Sequence, residues 1–136
     1  TEAPAVTEAV RPVVQADSGV LEISEKMFLT QITDIYLNFD EYKDLTIVVE
    51  GMYTLFMNQE GVADTPVVYR RGPGCCGNDG WGGFLLHYDG EYPEDNAWIR
   101  VTGTPELVER EYWSDLYLNV TEMEVLETRG EEFVMQ

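Results

Sequence analysis

Thr46-Ile47-Val48-Val49-Glu50-Gly51-Met52-Tyr53-Thr54-Leu55-Phe56-Met57 is the stretch that decides the fold. It is rich in β-branched and aromatic residues, and its apolar positions follow a period of two. That is strand chemistry. Gly51 in its middle marks a bulge or a sharp bend, of the kind small barrels need at corners. Downstream, Asn58-Gln59-Glu60-Gly61 reads as a turn. Pro66 to Arg71 is a second strand. Gly72 to Gly83 holds six glycines in twelve residues and reads as a loop. Phe84 to Tyr88 is a third strand. Ala97 to Val108 is a fourth, with Gly103 and Pro105 inside it, and Leu116 to Leu126 is a fifth. Upstream, Val20 to Ile23 is a short strand and Ser24 opens an N-cap signature. Met27, Phe28, Ile32, Ile35 and Tyr36 then recur at spacings of three and four. They predict an amphipathic helix from about Glu25 to Asn38.

These elements predict a mainly β fold: a small five-stranded OB-like barrel preceded by one amphipathic helix. A closed barrel removes the open edges that short antiparallel sheets leave. A β-sandwich is the alternative. The length of 136 residues suits one domain. Residues 1–18 carry two Pro and no helical apolar stripe, and they read as a flexible N-terminal linker. Residues 19–136 form the barrel domain.

Eight Lys plus Arg stand against 26 Asp plus Glu, a net charge of −18. Such a field repels phosphate backbones and anionic membranes, so nucleic acid is not expected as a partner. Only Arg70-Arg71 are adjacent basic residues. No run of 18 apolar residues offers a membrane span. The opening Thr1-Glu2-Ala3-Pro4, without a Met, reads equally as the remnant of a removed export signal or anchor and as a piece cut from a longer chain; the acidic, Lys-poor composition leans toward export. An extracytoplasmic or cell-envelope location follows as the expectation. The chain has no phosphate loop, no dinucleotide fingerprint and no Cys-x-x-Cys at a helix start. A non-enzymatic binding or accessory module is therefore the leading functional reading.

The candidate working end is Cys75-Cys76, the chain's two cysteines. As free thiols they are incidental. As a disulfide they would join neighbours across a strained link, which makes a redox-active protein the alternative function. As metal ligands they suit zinc, with His87, the single His, as a third ligand and Asp79, another carboxylate or water as a fourth. That set needs the Cys loop to fold back over the third strand. Trp81, flanked by Gly80, Gly82 and Gly83, is the aromatic best placed for ligand contact. Trp98 joins it as a candidate on a stacking face, against the plainer reading that Trp98, Trp113 and the Tyr residues pack the core.

The span Leu21 to Leu126 resembles the soluble domain of an uncharacterised bacterial membrane-protein family. The residues that carry the resemblance are Phe28 and Ile35-Tyr36 on the helix, Tyr42 to Ile47 leading into the long strand, and Glu50-Gly51 within it. The Cys75-Cys76 pair and Trp98-Ile99-Arg100-Val101-Thr102-Gly103-Thr104 complete the set. The resemblance implies an accessory role beside a predicted membrane permease, and for some members a link to zinc homeostasis.

Overall fold

The computed structural model describes residues 19–58, 60–74 and 77–135. Its elements are β1 (Val20–Glu22), α1 (Phe28–Leu37), a 3-10 turn (Phe39–Glu41), β2 (Thr46–Met57), β3 (Ala63–Gly74), β4 (Gly77–His87), β5 (Trp98–Glu109) and β6 (Ser114–Val125). The protein is mainly β with one α-helix, as its sequence predicts. The expected linker, 1–18, lies outside the described residues.

Five of the six strands close a ring through β2–β3, β3–β4, β4–β6, β6–β5 and β5–β2. The short β1 adds to β2 in parallel, with Leu21 opposite Ile47. Four of the ring's five junctions are antiparallel. The fifth, β4–β6, is parallel and runs only from Leu85↔Tyr117 to His87↔Asn119.

Burial along β2 alternates from Thr46 to Glu50 and then breaks, with Gly51, Met52 and Tyr53 all buried. The break has a physical cause. β2 pairs with β5 as far as Met52, and from Met52 onward its ladder with β3 begins. A Cβ on Gly51 would lie 2.7 Å from the Tyr69 carbonyl oxygen, so the β3 backbone occupies the space of a side chain there. Gly103 sits at a register shift in the β5–β6 ladder, where a Cβ would collide with the Asn119 carbonyl. Both expected bend positions thus carry a close backbone approach.

The Gly72 to Gly83 stretch departs from its reading as a loop. Its described parts, Gly72 to Gly74 and Gly77 to Gly83, belong to the facing arms of β3 and β4, with Arg70↔Gly82, Gly72↔Gly80 and Gly74↔Gly77 in register. Gly83 shows why, since a Cβ there would overlap the Val68 carbonyl of the neighbouring strand. Glycine density here reflects close approach of backbone at Gly80 and Gly83 and of the Leu29 side chain at Gly72 and Gly82, which local composition does not distinguish from a turn.

Inside the ring, Ile47, Val49, Val68, Phe84, Leu86, Ile99, Val101 and Leu118 form one core with Phe28, Ile32 and Ile35 of α1. Each fully buried side chain of this type is worth ~1.5–3 kcal/mol relative to exposure. The helix begins at Phe28, later than the Ser24 cap signature suggests. Ser24 closes a preceding turn instead: its Oγ accepts the Met27 N–H at 3.1 Å, and Gln31 Oε1 accepts the Ser24 N–H at 2.7 Å. α1 lies against β4, and its Leu29 fills the space that side chains at Gly72 and Gly82 would take.

After β6 the chain returns along β3. Arg71 donates its N–H to the Glu132 carbonyl, and Val134 donates to the Arg71 carbonyl, both at 2.9 Å. Beneath this C-terminal strap lies buried Arg70. Its Nε donates to the Glu50 carbonyl at 2.9 Å, and one terminal nitrogen donates to Glu25 Oε2 at 2.5 Å and to the Glu131 carbonyl at 3.2 Å.

Candidate functional site: an aromatic cleft

An open cleft of about 1270 Å³ lies among the described residues. Four parts of the chain wall it: α1, the β2–β3 turn, the outer face of β4, and the β5–β6 connection running into β6. It opens where β4 and β6 part company, on the Trp81 side of their short parallel seam.

The β2–β3 turn is built by Asn58. Its Oδ1 accepts the N–H groups of Glu60 at 2.8 Å and Val62 at 3.1 Å, and its Nδ2 donates to Asp64 at 2.8 Å. Gly61 completes the turn at φ 84°, a left-handed conformation that favours glycine. A register shift between Phe56 and Met57 turns both side chains toward the cleft, although adjacent strand residues normally point to opposite faces.

Trp81 stands on β4 opposite Arg71, not in a loop, and is 47% exposed. The Phe56 ring meets it edge-on, with centroids 4.8 Å apart. Across the cleft, the β5–β6 connection offers Tyr112, 83% exposed, and Trp113, 45% exposed. Hydrogen bonds hold this connection. Trp113 Nε1 donates to Asp115 Oδ1 at 3.0 Å, Arg110 Nε donates to Asp115 Oδ2 at 2.9 Å, and the Arg110 N–H donates to the Trp113 carbonyl at 2.7 Å. The Asp115 carboxylate beside Arg110 keeps the guanidinium charged, above its ordinary value. From α1, the Tyr36 hydroxyl donates to the Ser114 carbonyl at 3.1 Å and accepts the Ser114 N–H at 3.3 Å. It thereby occupies polar backbone groups of β6 that β4 does not reach.

The candidates from the sequence fall in different places. Trp81 lies in the cleft. Trp98 does not: it is buried in the second apolar cluster with Met52, Val67 and Tyr69. The guanidinium carbons of Arg70 and Arg129 lie 4.8 and 5.3 Å from its ring centroid. Its ring is occupied by protein groups, so it offers no stacking face to a ligand. Cys75, Cys76 and the Asp79 side chain lie outside the described residues. His87 is at the far end of β4 from Gly77. At ~3.3 Å per residue, roughly 30 Å of strand separates them. From Gly77 to His87 the chain is strand, where the sequence reads a loop as far as Gly83. His87 instead stacks on Tyr117, with centroids 4.1 Å apart, and its Nδ1 lies 3.1 Å from Asn119 Oδ1. Among the described residues, no three His, Cys, Asp or Glu side chains stand together as metal ligands.

Tyr112 and Trp113 are the site residues the sequence reading passed over as core. Their signal is present in Glu109-Arg110-Glu111-Tyr112-Trp113-Ser114, where two large aromatics interrupt a polar turn.

Fold and cleft together define a small mainly β domain: a ring of strands, one helix, and an aromatic-walled concavity at one seam. The chain belongs to the DUF1980 C-terminal domain family, whose model matches residues 3–135. Neither a curated protein nor a solved structure matches it. No helix among the described residues is long and apolar enough to cross a membrane.

Proposed function

We propose that this domain is a non-enzymatic binding or accessory module of the cell envelope, and that its working surface is the aromatic cleft. One observation carries the reading: Trp81, Tyr112 and Trp113 come from two separate parts of the chain, converge on one concavity and stay exposed there. Large aromatics held in the open by a rigid framework are typical of contact surfaces. The acidic field disfavours nucleic acid in the cleft. The resemblance to membrane-associated bacterial proteins adds a permease as the partner and zinc as the physiological context, and both elements rest on that resemblance alone.

The test is ligand selection against the wild-type domain, from a displayed peptide library and from a glycan array, with single-stranded oligo(dT) as the nucleic-acid arm. Selected ligands should lose at least ~ten-fold in affinity for Trp81→Ala and for Tyr112→Ala. Oligo(dT) should not bind. Selected ligands that keep full affinity for both variants would remove the cleft from the functional surface.

A further inference from the structure

Resting on that reading of the cleft, we propose that its occupant is a short cationic and apolar peptide segment of a protein partner. Three observations point the same way: size, side-chain chemistry and charge.

The cleft, at about 1270 Å³ and open, exceeds the ~300–1,000 Å³ of ordinary small-molecule sites. A ligand that fills it is a chain of several units. The walls are not aromatic alone. Met57 lies on the rim with 72% of its surface exposed. A thioether side chain gives a sugar ring neither a flat stacking face nor a strong hydrogen bond. It packs against irregular apolar side chains, and Met joins Trp and Tyr among the residues enriched at protein interfaces.

Charge decides the remaining chemistry. Four charged residues line the cleft: Glu60, Arg110, Glu111 and Asp115. Arg110 and Asp115 pair with each other at 2.9 Å. That leaves Glu60 and Glu111 uncompensated within the cleft, on a chain of net charge −18. Arg or Lys of an incoming segment meets both carboxylates and finds Trp and Tyr faces for cation–π contact. The overall field speeds its arrival. A neutral glycan gains nothing from this charge, and an acidic segment is repelled.

The experiment is a fluorescence titration of the whole domain, read through its tryptophans, with three probes: a short blocked peptide alternating Arg with Leu, the same peptide with Glu in place of Arg, and cellohexaose. The Arg-Leu peptide should bind saturably and more weakly as salt is added, and the Glu-Leu peptide should not bind. Glu60→Gln and Glu111→Gln should each weaken binding by about two- to five-fold. Tyr112→Ala, at a site too exposed to disturb folding, should weaken it at least ~ten-fold. Binding that survives Tyr112→Ala and Trp81→Ala would be unspecific attraction to an acidic chain and would overturn the proposal. Cellohexaose binding that is lost in those variants would overturn the peptide assignment while leaving the cleft as a binding surface. If no probe binds, the peptide proposal is overturned, and the selections described above decide the cleft separately.

Discussion

Glu25 accepts two donors on one oxygen, the Arg70 guanidinium and the Glu131 N–H at 2.8 Å. It thus ties the segment before the helix to the C-terminal strap across 106 residues of sequence. The Glu131 N–H first, then Arg70, hold its carboxyl below the ordinary value of 4.5. A depressed carboxylate stabilises the fold fully above its unfolded value, and that contribution is lost as pH falls through the folded one. Glu25→Gln should therefore cost about 1 kcal/mol at neutral pH, below the ~1.5–3 kcal/mol of a charged hydrogen bond because Glu25 is 46% exposed and solvent screens it. Urea denaturation at neutral and acid pH checks both parts: the gap between wild type and variant should close in acid. Equal stabilities at neutral pH would mean that the clamp contributes nothing. Little of this was legible in the sequence. Glu25 reads there as a first-turn helix acid and Arg70 as half of a basic pair, because no local pattern encodes a contact between residues 45 positions apart.

At the scale of elements, the alternating runs of the strands were readable and the glycine-rich runs were not. β2 shows itself through period two and its central Gly51, and β5 through the Gly103 bulge. In the β3–β4 hairpin the runs Pro66 to Arg71 and Phe84 to His87 were readable, and the glycine-rich arms between them were not, because glycines interrupt the alternation that marks a strand. Gly83 lets Val68 and Tyr69 of β3 approach β4 closely. Gly83→Ala should accordingly destabilise the domain by about 1–3 kcal/mol, the usual cost of overpacking, and by more if the Val68 carbonyl cannot shift. Thermal unfolding compared with Gly61→Ala separates this from a generic glycine effect. No atom of the described residues outside its chain neighbours stands within 4 Å of a Cβ at Gly61, so its cost there is its left-handed backbone conformation. A Gly83→Ala variant as stable as wild type would contradict the close approach. α1 is a middle case: its stripe was visible, but its start was set by the Ser24–Gln31 turn and not by the cap signature.

For the whole molecule, the charge imbalance was the plainest property of the sequence and has a measurable effect on stability. Repulsion within a chain of −18 opposes compaction, and added salt screens it. The melting temperature at neutral pH should rise with sodium chloride from low to physiological ionic strength. A falling melting temperature would indicate that ion pairs such as Arg100–Glu50 outweigh the repulsion. The cleft was legible only in part, since Trp81 was flagged and its neighbours were not. A site assembled from four parts of the chain has no local signature, and the ring closure that gathers them is a long-range pairing. That closure also distributes strength unevenly around the ring. The β5–β6 ladder runs from Ile99↔Val125 to Glu109↔Ser114, whereas β4–β6 has its rungs only from Leu85 to His87. A closed loop of strands breathes at its shortest ladder. Amide hydrogens at this seam should be the first in the ring to exchange with solvent, and each such opening would widen the mouth of the cleft beside it while the other four ladders stay zipped.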